Sequence, residues 1–207
     1  MKPVLVLYAT REGHTRAVAE YAAAVLLQKK VPTLLVCAKD AAKNLSLADF
    51  SGALLAASVH LGKHEPELID FVVSHRSELA TLPAAFVSVS MAEAAVEDFD
   101  LAEAQRQGAA ENVQQMIDRF CKQTGWRPKR IKPVAGALLY TKYGVLTRLV
   151  MRYIAKRAGG PTDTSRDYDF TDWNALARFA GEFADELGAE PISQPAAPRE
   201  EHAHAGR

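Results

Sequence analysis

At 207 residues the chain is long enough to bury one sizeable core, so a single domain is expected, and 48% apolar with 24% charged residues excludes an intrinsically disordered protein. Twenty-five basic side chains balance twenty-five acidic ones, which excludes a uniformly acidic carrier or a uniformly basic polymer binder. The balance hides an asymmetry: Arg119 to Thr162 contains eleven Lys and Arg with no acid, whereas Glu93 to Glu103 carries five acids. Such a cationic stretch attracts phosphates, acidic ligands or anionic lipid headgroups. The two cysteines, Cys37 and Cys121, are far apart in sequence and form no CxxC, so no disulfide framework, zinc site or other metal site is indicated and a reducing cytoplasm fits. The apolar run in MKPVLVLYATREG is too short for a signal-peptide core or a membrane span.

In chain order, Pro3 to Tyr8 is an almost continuous apolar run followed by turn residues and a helical pattern from Thr15 to Lys30. There Val18, Tyr21, Ala22, Val25 and Leu26 recur at spacings of three and four. Further apolar runs lie at Val31–Val36, Gly52–Ser58, Ala84–Val89 and Ile131–Leu139. None alternates, as expected of strands buried on both faces of a parallel sheet. Helical patterns occupy Glu65–Leu79 and Ala109–Thr124, the latter through Val113, Met116, Ile117 and Phe120. Strands alternating with helices predict right-handed βαβ units, and five such strands suit a flavodoxin-like α/β fold. That fold is a doubly wound five-stranded parallel sheet binding ligands at its carboxyl edge.

Two segments fall outside this scheme. Tyr140 to Gly160 is a basic amphipathic insertion between the fifth strand and a last helix at Asp172–Leu187, where Asp172 and Trp173 are expected to cap and pack. Residues 189–207, with Pro191, Pro195 and Pro198, have little to bury and are expected to be a disordered tail to a domain spanning 1–188.

The turn after the first strand reads Thr10-Arg11-Glu12-Gly13-His14-Thr15. A phosphate monoester needs convergent donors, and a strand–loop–helix junction with Thr10, Gly13 and Thr15 offers hydroxyls, backbone N–H groups and the positive end of a helix. The alternative is that Thr10 and Thr15 only make a turn and a cap. There is no GxGxxG, which favours a mononucleotide, FMN, over a dinucleotide. The walls for a flavin ring would come from the loops after the third and fourth strands. These are Ser58-Val59-His60-Leu61-Gly62, running on to Lys63 and His64, and Ser88-Val89-Ser90-Met91. Gly62 can present backbone to the ring edge, with His60 or Leu61 against its face; for His60 and His64 plain solvent exposure is the alternative. Neither loop contains Trp or Tyr, so the ring would be more open to a substrate than in a one-electron carrier.

Within Gly144 to Ala158, Arg148, Arg152 and Lys156 follow at four-residue steps, with Val145, Leu146, Leu149, Val150, Tyr153 and Ile154 around the rest of the wheel. This suits a helix at an anionic membrane surface or an acidic partner; a helix packed on the core with a solvated cationic face is the alternative. Nucleic acid is not expected, because the basic stretch contains a buried strand and no recognition motif.

The blocks YATREGHTRAVAEY, AASVHLGKHEPELIDFV, AFVSVS, WRPKRIKPVAGALLY and GGPTDTSRDYDFTDW, in that order, resemble the flavodoxin-type, quinone-linked protoporphyrinogen oxidases over about residues 3 to 187. The resemblance implies FMN held by Thr10, Arg11, Glu12, Gly13, His14 and Thr15, with Ser58–Gly62 and Ser88–Met91 at the ring. It also implies activity dependent on the segment Tyr140–Gly160, and it identifies no side-chain acid or base. The implied reaction moves hydride from a saturated carbon of protoporphyrinogen IX to the flavin and passes electrons to a membrane quinone. Removal of six electrons then requires three cycles. The place of action would be the cytoplasm, peripheral to the inner face of the cell membrane. The competing expectations are a flavodoxin electron carrier, which the basic stretch opposes, and a soluble NAD(P)H:quinone reductase.

Overall fold

The computed structural model describes residues 2–41, 45–157 and 160–188, with side chains throughout except those of Ile154 and Arg157. The expected tail at 189–207 lies outside the described residues. Five parallel strands form the centre: β1 (Val4–Ala9), β2 (Thr33–Cys37), β3 (Gly52–His60), β5 (Ala84–Ser90) and β6 (Arg130–Ala135). Their order is β2-β1-β3-β5-β6, with a short β4 (Lys63–His64) folded back antiparallel on β3. The winding reverses between β1 and β3, which places the open crevice beside the end of β1.

The continuous apolar runs have the cause inferred from sequence. Along β1, Val4, Val6 and Tyr8 face α1 (His14–Gln28) and α7 (Trp173–Gly188), while Leu5, Leu7 and Ala9 face α2 (Pro66–Ser74) and α5 (Glu103–Thr124). Both faces are therefore core. On the second face Phe86 and Phe120 stack with ring centroids 4.4 Å apart, and Trp126 closes the layer, its indole N–H donating to the Leu79 carbonyl. Burial of an aromatic side chain there contributes about 2 kcal/mol or more.

Several boundaries differ from expectation, among them the start of α5, at Glu103 instead of Ala109. The helical run Glu65–Leu79 breaks at His75 into α2 and α3 (Arg76–Leu79). A six-residue helix, α4 (Met91–Val96), follows β5 at once, its start capped by Ser90 Oγ accepting from the Glu93 N–H; it is too short to show helical periodicity. The fifth strand ends at Ala135 instead of continuing to Leu139. At Gly136 a Cβ would lie 3.4 Å from Met91 Sδ, and beyond it β7 (Ala137–Leu138) pairs antiparallel with β8 (Tyr168–Asp169) in a separate ribbon.

The insertion thus runs from Ala137 to Asp169 and has its own small core. Tyr140 is fully buried, donates its hydroxyl to the Pro161 carbonyl, and meets Tyr143 and Tyr168 edge to face. Leu138 and Ala155 join it, with Met91, Met151 and Phe170 packed against the cluster.

Candidate functional site

At the carboxyl end of β1 the chain turns through Thr10–Thr15 into α1. Thr10 Oγ1 accepts from the Gly13 N–H at 3.0 Å, which tightens the turn. Gly13 sits at φ +92, a left-handed conformation that disfavours a side chain, and no side chain caps α1. The first-turn N–H groups are therefore left pointing into the crevice. Thr15 lies beneath them, 1% exposed, and its Oγ1 has no hydrogen-bond partner among the described residues. An orphaned buried hydroxyl at a helix N-terminus costs about 1–3 kcal/mol unless a ligand uses it. Over the same turn stands Lys142 from the insertion, its Nζ 4.0 Å from where a Gly13 Cβ would be. Donors, helix dipole and cation converge, and the residues present fit a phosphate group.

The flanking side chains of the turn are engaged elsewhere. The His14 ring Nε2 lies 2.8 Å from Thr171 Oγ1, whose proton goes to the Ala135 carbonyl, so the ring is the donor and carries its proton on Nε2. Burial lowers the His14 pKa, with Lys142 adding to the effect and Asp169 opposing it. This ring anchors the turn to the foot of α7, beside Trp173. Asp172 and Trp173 do cap and pack that helix: Asp172 Oδ1 accepts from the Ala175 N–H, and Trp173 meets Tyr21 edge to face. Glu12 lies near Tyr143, whose phenol is pushed up chiefly by burial and also by that carboxylate.

Arg11 Nε donates to Glu65 Oε2 at 3.0 Å, and Glu65 Oε1 accepts from Ser58 Oγ at 3.1 Å and lies 3.3 Å from His60 Nε2. One buried carboxylate, at the junction of β4 and α2, thereby joins the first turn to the segment after β3. In the sequence Glu65 is only the first residue of a helical run, with nothing local to mark it. Its function in the fold depends on Arg11, 54 residues away.

The segment after β3 is a hairpin rather than an open loop. Val59 pairs with His64 and His60 with Lys63, leaving Leu61 (φ 50) and Gly62 (φ 73) as a two-residue turn, the positive φ at both positions matching a type I′ hairpin. Leu61 is fully exposed, with a bulky side chain in a conformation that favours glycine, and Gly62 presents its carbonyl to Arg119 at 2.8 Å. His64 is buried, not solvated: it packs against the stacked Phe86 and Phe120 pair with Nε2 2.9 Å from Ser88 Oγ, and burial lowers its pKa to about 4.

Ser88, Val89, Ser90 and Met91 are likewise not a loop. Ser88 turns into the core toward His64, Val89 is buried, Ser90 caps α4, and Met91 opens that helix against the insertion. Their backbone remains at the carboxyl edge; the side-chain hydroxyls of Ser88 and Ser90 are used internally.

In the insertion, α6 (Val145–Arg157) does not take up the alternative arrangement of an apolar side packed on the core. Met151 and Ala155 point inward, whereas Leu146, Leu149, Val150 and Tyr153 are exposed. Arg148 does not share a solvated face with Arg152 and Lys156: it donates to the Tyr143 carbonyl at 3.0 Å, and its Nε is buried. Arg152 and Lys156 are exposed along one margin of the apolar side.

Residues 5–165 match the flavodoxin domain family. Protoporphyrinogen IX dehydrogenase (quinone) of Leishmania major is 34% identical over 94% of this chain and 78% of its own length. The protein of the same name from Escherichia coli K12 is 29% identical over 87% and 93% respectively. Among solved structures, oxidised Flavodoxin 1 from Bacillus cereus superposes with a TM-score of 0.50 at 16% identity, covering 88% of this chain and 97% of that one, a likeness of fold. The chain belongs to the flavodoxin domain family, in the branch of the quinone-linked protoporphyrinogen IX dehydrogenases.

Proposed function

We propose that the protein binds FMN at the carboxyl edge of its sheet and uses it to oxidise protoporphyrinogen IX to protoporphyrin IX, with a quinone as acceptor. The observation that carries the reading is the buried, unpartnered Thr15 hydroxyl beneath a left-handed Gly13 and an overhanging Lys142, in a chain whose relatives bear this activity in their names. The phosphate would be held by Thr10, Thr15 and the N–H groups of His14 and Thr15, with Lys142 supplying charge. Arg11 acts through Glu65, and His14 through Thr171, as supports of the turn. The ring would lie near the Leu61–Gly62 hairpin and the backbone of Ser88–Met91. Bound FMN supplies two-electron redox chemistry; the chain orients donor and acceptor around it.

No helix among the described residues is long and apolar enough to cross a membrane. We place the protein instead on the bilayer surface, with the exposed apolar side of α6 entering the headgroup region and Arg152 and Lys156 against anionic lipid. Exposed apolar residues alongside basic ones support this arrangement over a purely electrostatic contact.

The test is anaerobic incubation of FMN-loaded protein with protoporphyrinogen IX, with and without a quinone analogue, followed by porphyrin fluorescence. Sustained growth of fluorescence dependent on the quinone is expected. A flavin-loaded protein that leaves protoporphyrinogen unchanged overturns the reading.

A further inference from the structure

Between α4 and the insertion lies a cavity of about 490 Å³, within the range that holds small organic ligands. One wall is Ala94 and Ala95 of α4, the other Met151 and Ala155 of α6, and Met91 and Phe170 lie between them. Acidic groups mark it on the α4 side, Glu97 and Asp98, and no Lys or Arg is among its lining residues. We propose that this cavity is the seat of the electron acceptor, an uncharged quinone ring on an aliphatic tail, separate from the site of the porphyrinogen. The inference rests on the functional reading above and names where its acceptor binds.

Charge separates the two candidate occupants. A porphyrinogen carries two propionates, and moving a carboxylate past Glu97 and Asp98 into an apolar space costs both repulsion and desolvation. A quinone has no charge to desolvate and gains from burial against aliphatic and thioether side chains, two of them methionines that adapt to a flat ring. Position points the same way. No residue of Thr10–Thr15 or Ser58–Gly62 lines the cavity, yet Met91, the first residue beyond Ser90, does. The cavity therefore backs onto the carboxyl edge of β5 from the side opposite the Leu61 hairpin, leaving the hairpin side to a second ligand. Finally, the helix forming one wall is the helix whose outer side exposes Leu146, Leu149 and Val150. A lipid-borne quinone arriving beside α6 would reach the cavity past an apolar surface.

The test uses the full, FMN-loaded protein, reduced by light under anaerobic conditions and mixed with decylubiquinone or with ferricyanide, so that reoxidation is read without porphyrinogen, and the KM for protoporphyrinogen is measured separately in steady state. Ala95→Phe and Met151→Phe fill the cavity from opposite walls. Each is expected to raise the decylubiquinone concentration for half-maximal reoxidation about tenfold, with ferricyanide reoxidation, flavin content and the KM for protoporphyrinogen unchanged. Unaltered quinone dependence in a variant that keeps its flavin overturns the proposal, as does a raised protoporphyrinogen KM with quinone dependence intact. If both variants lose flavin, the wild-type methyl resonances of Met91 and Met151 decide: decylubiquinone must shift them, and unshifted methyls overturn the proposal. A wild-type protein reoxidised saturably by quinone but inert toward protoporphyrinogen would refute the functional reading and leave the cavity assignment standing.

Discussion

Thr15 and Lys142 approach one turn from opposite sides, and the loss of either should weaken FMN binding by a different force. Thr15→Val keeps the shape of the side chain and removes a buried hydroxyl that lacks a partner among the described residues. The flavin-free variant is therefore expected to melt no lower than wild type, while FMN binding weakens by about 1–3 kcal/mol, the usual cost of a lost hydrogen bond to a charged group. Calorimetry of the free protein with flavin titration separates the two effects; a variant that melts lower and binds FMN normally would assign the hydroxyl to the fold. Lys142→Gln removes an exposed charge above Gly13, so the loss should be about 1 kcal/mol at low salt and fade as salt rises. Titration at two ionic strengths checks it, and an equal loss at both would mean that Lys142 acts by contact rather than by charge.

Among the elements, α6 departs most from what its pattern implied. A wheel with three basic residues at four-residue steps reads as a cationic face over an apolar one. In the structure the inward positions are Arg148, Met151 and Ala155, and most of the large aliphatic residues are outside. Two pairs of changes distinguish the forces. Leu146→Gln with Leu149→Gln should lower partitioning to anionic vesicles by about 1 kcal/mol per residue at any salt concentration. Arg152→Gln with Lys156→Gln should lower it by a similar amount at low salt only. Vesicle sedimentation at two salt concentrations reads both, and binding untouched by the leucine pair would remove α6 from the membrane. In the proposed reading flavin affinity and membrane contact would share one segment, since α6 begins three residues after Lys142.

At the scale of the whole molecule, two imidazoles with pKa values lowered by burial, the buried His64 and the half-buried His14, contribute to the response to acid. His64 has its pKa lowered to about 4 by burial and His14 is lowered for the same reason, so the unfolded chain, near 6.5 at each, binds more protons over the interval. Stability is therefore full above about pH 6.5 and falls as pH drops toward 4, His64 alone accounting for about 3 kcal/mol. His64→Phe, packed against Phe86 and Phe120, should flatten that slope; denaturant unfolding at pH 7 and pH 5 measures it, and an unchanged slope would shift the acid sensitivity to other groups.

Local order along the chain was enough to predict the alternation of strands and helices, the double-sided burial of the sheet and the turn at Thr10–Thr15. Each is written in neighbouring residues: apolar runs, three-and-four spacing, and a Gly between hydroxyls. Resemblance added the branch of the family and the importance of the insertion. The rest lies in contacts between distant positions. Glu65 gains its role from Arg11, His14 from Thr171 across 157 residues, and the phosphate turn its cation from Lys142. The fifth strand gives way at Gly136, beside Met91, to a ribbon paired with residues thirty or more positions on, and the inward side of α6 packs on the tyrosine cluster. Periodicity records that a helix has an apolar side but not whether protein or another medium covers it, because that choice belongs to the packing of the folded chain.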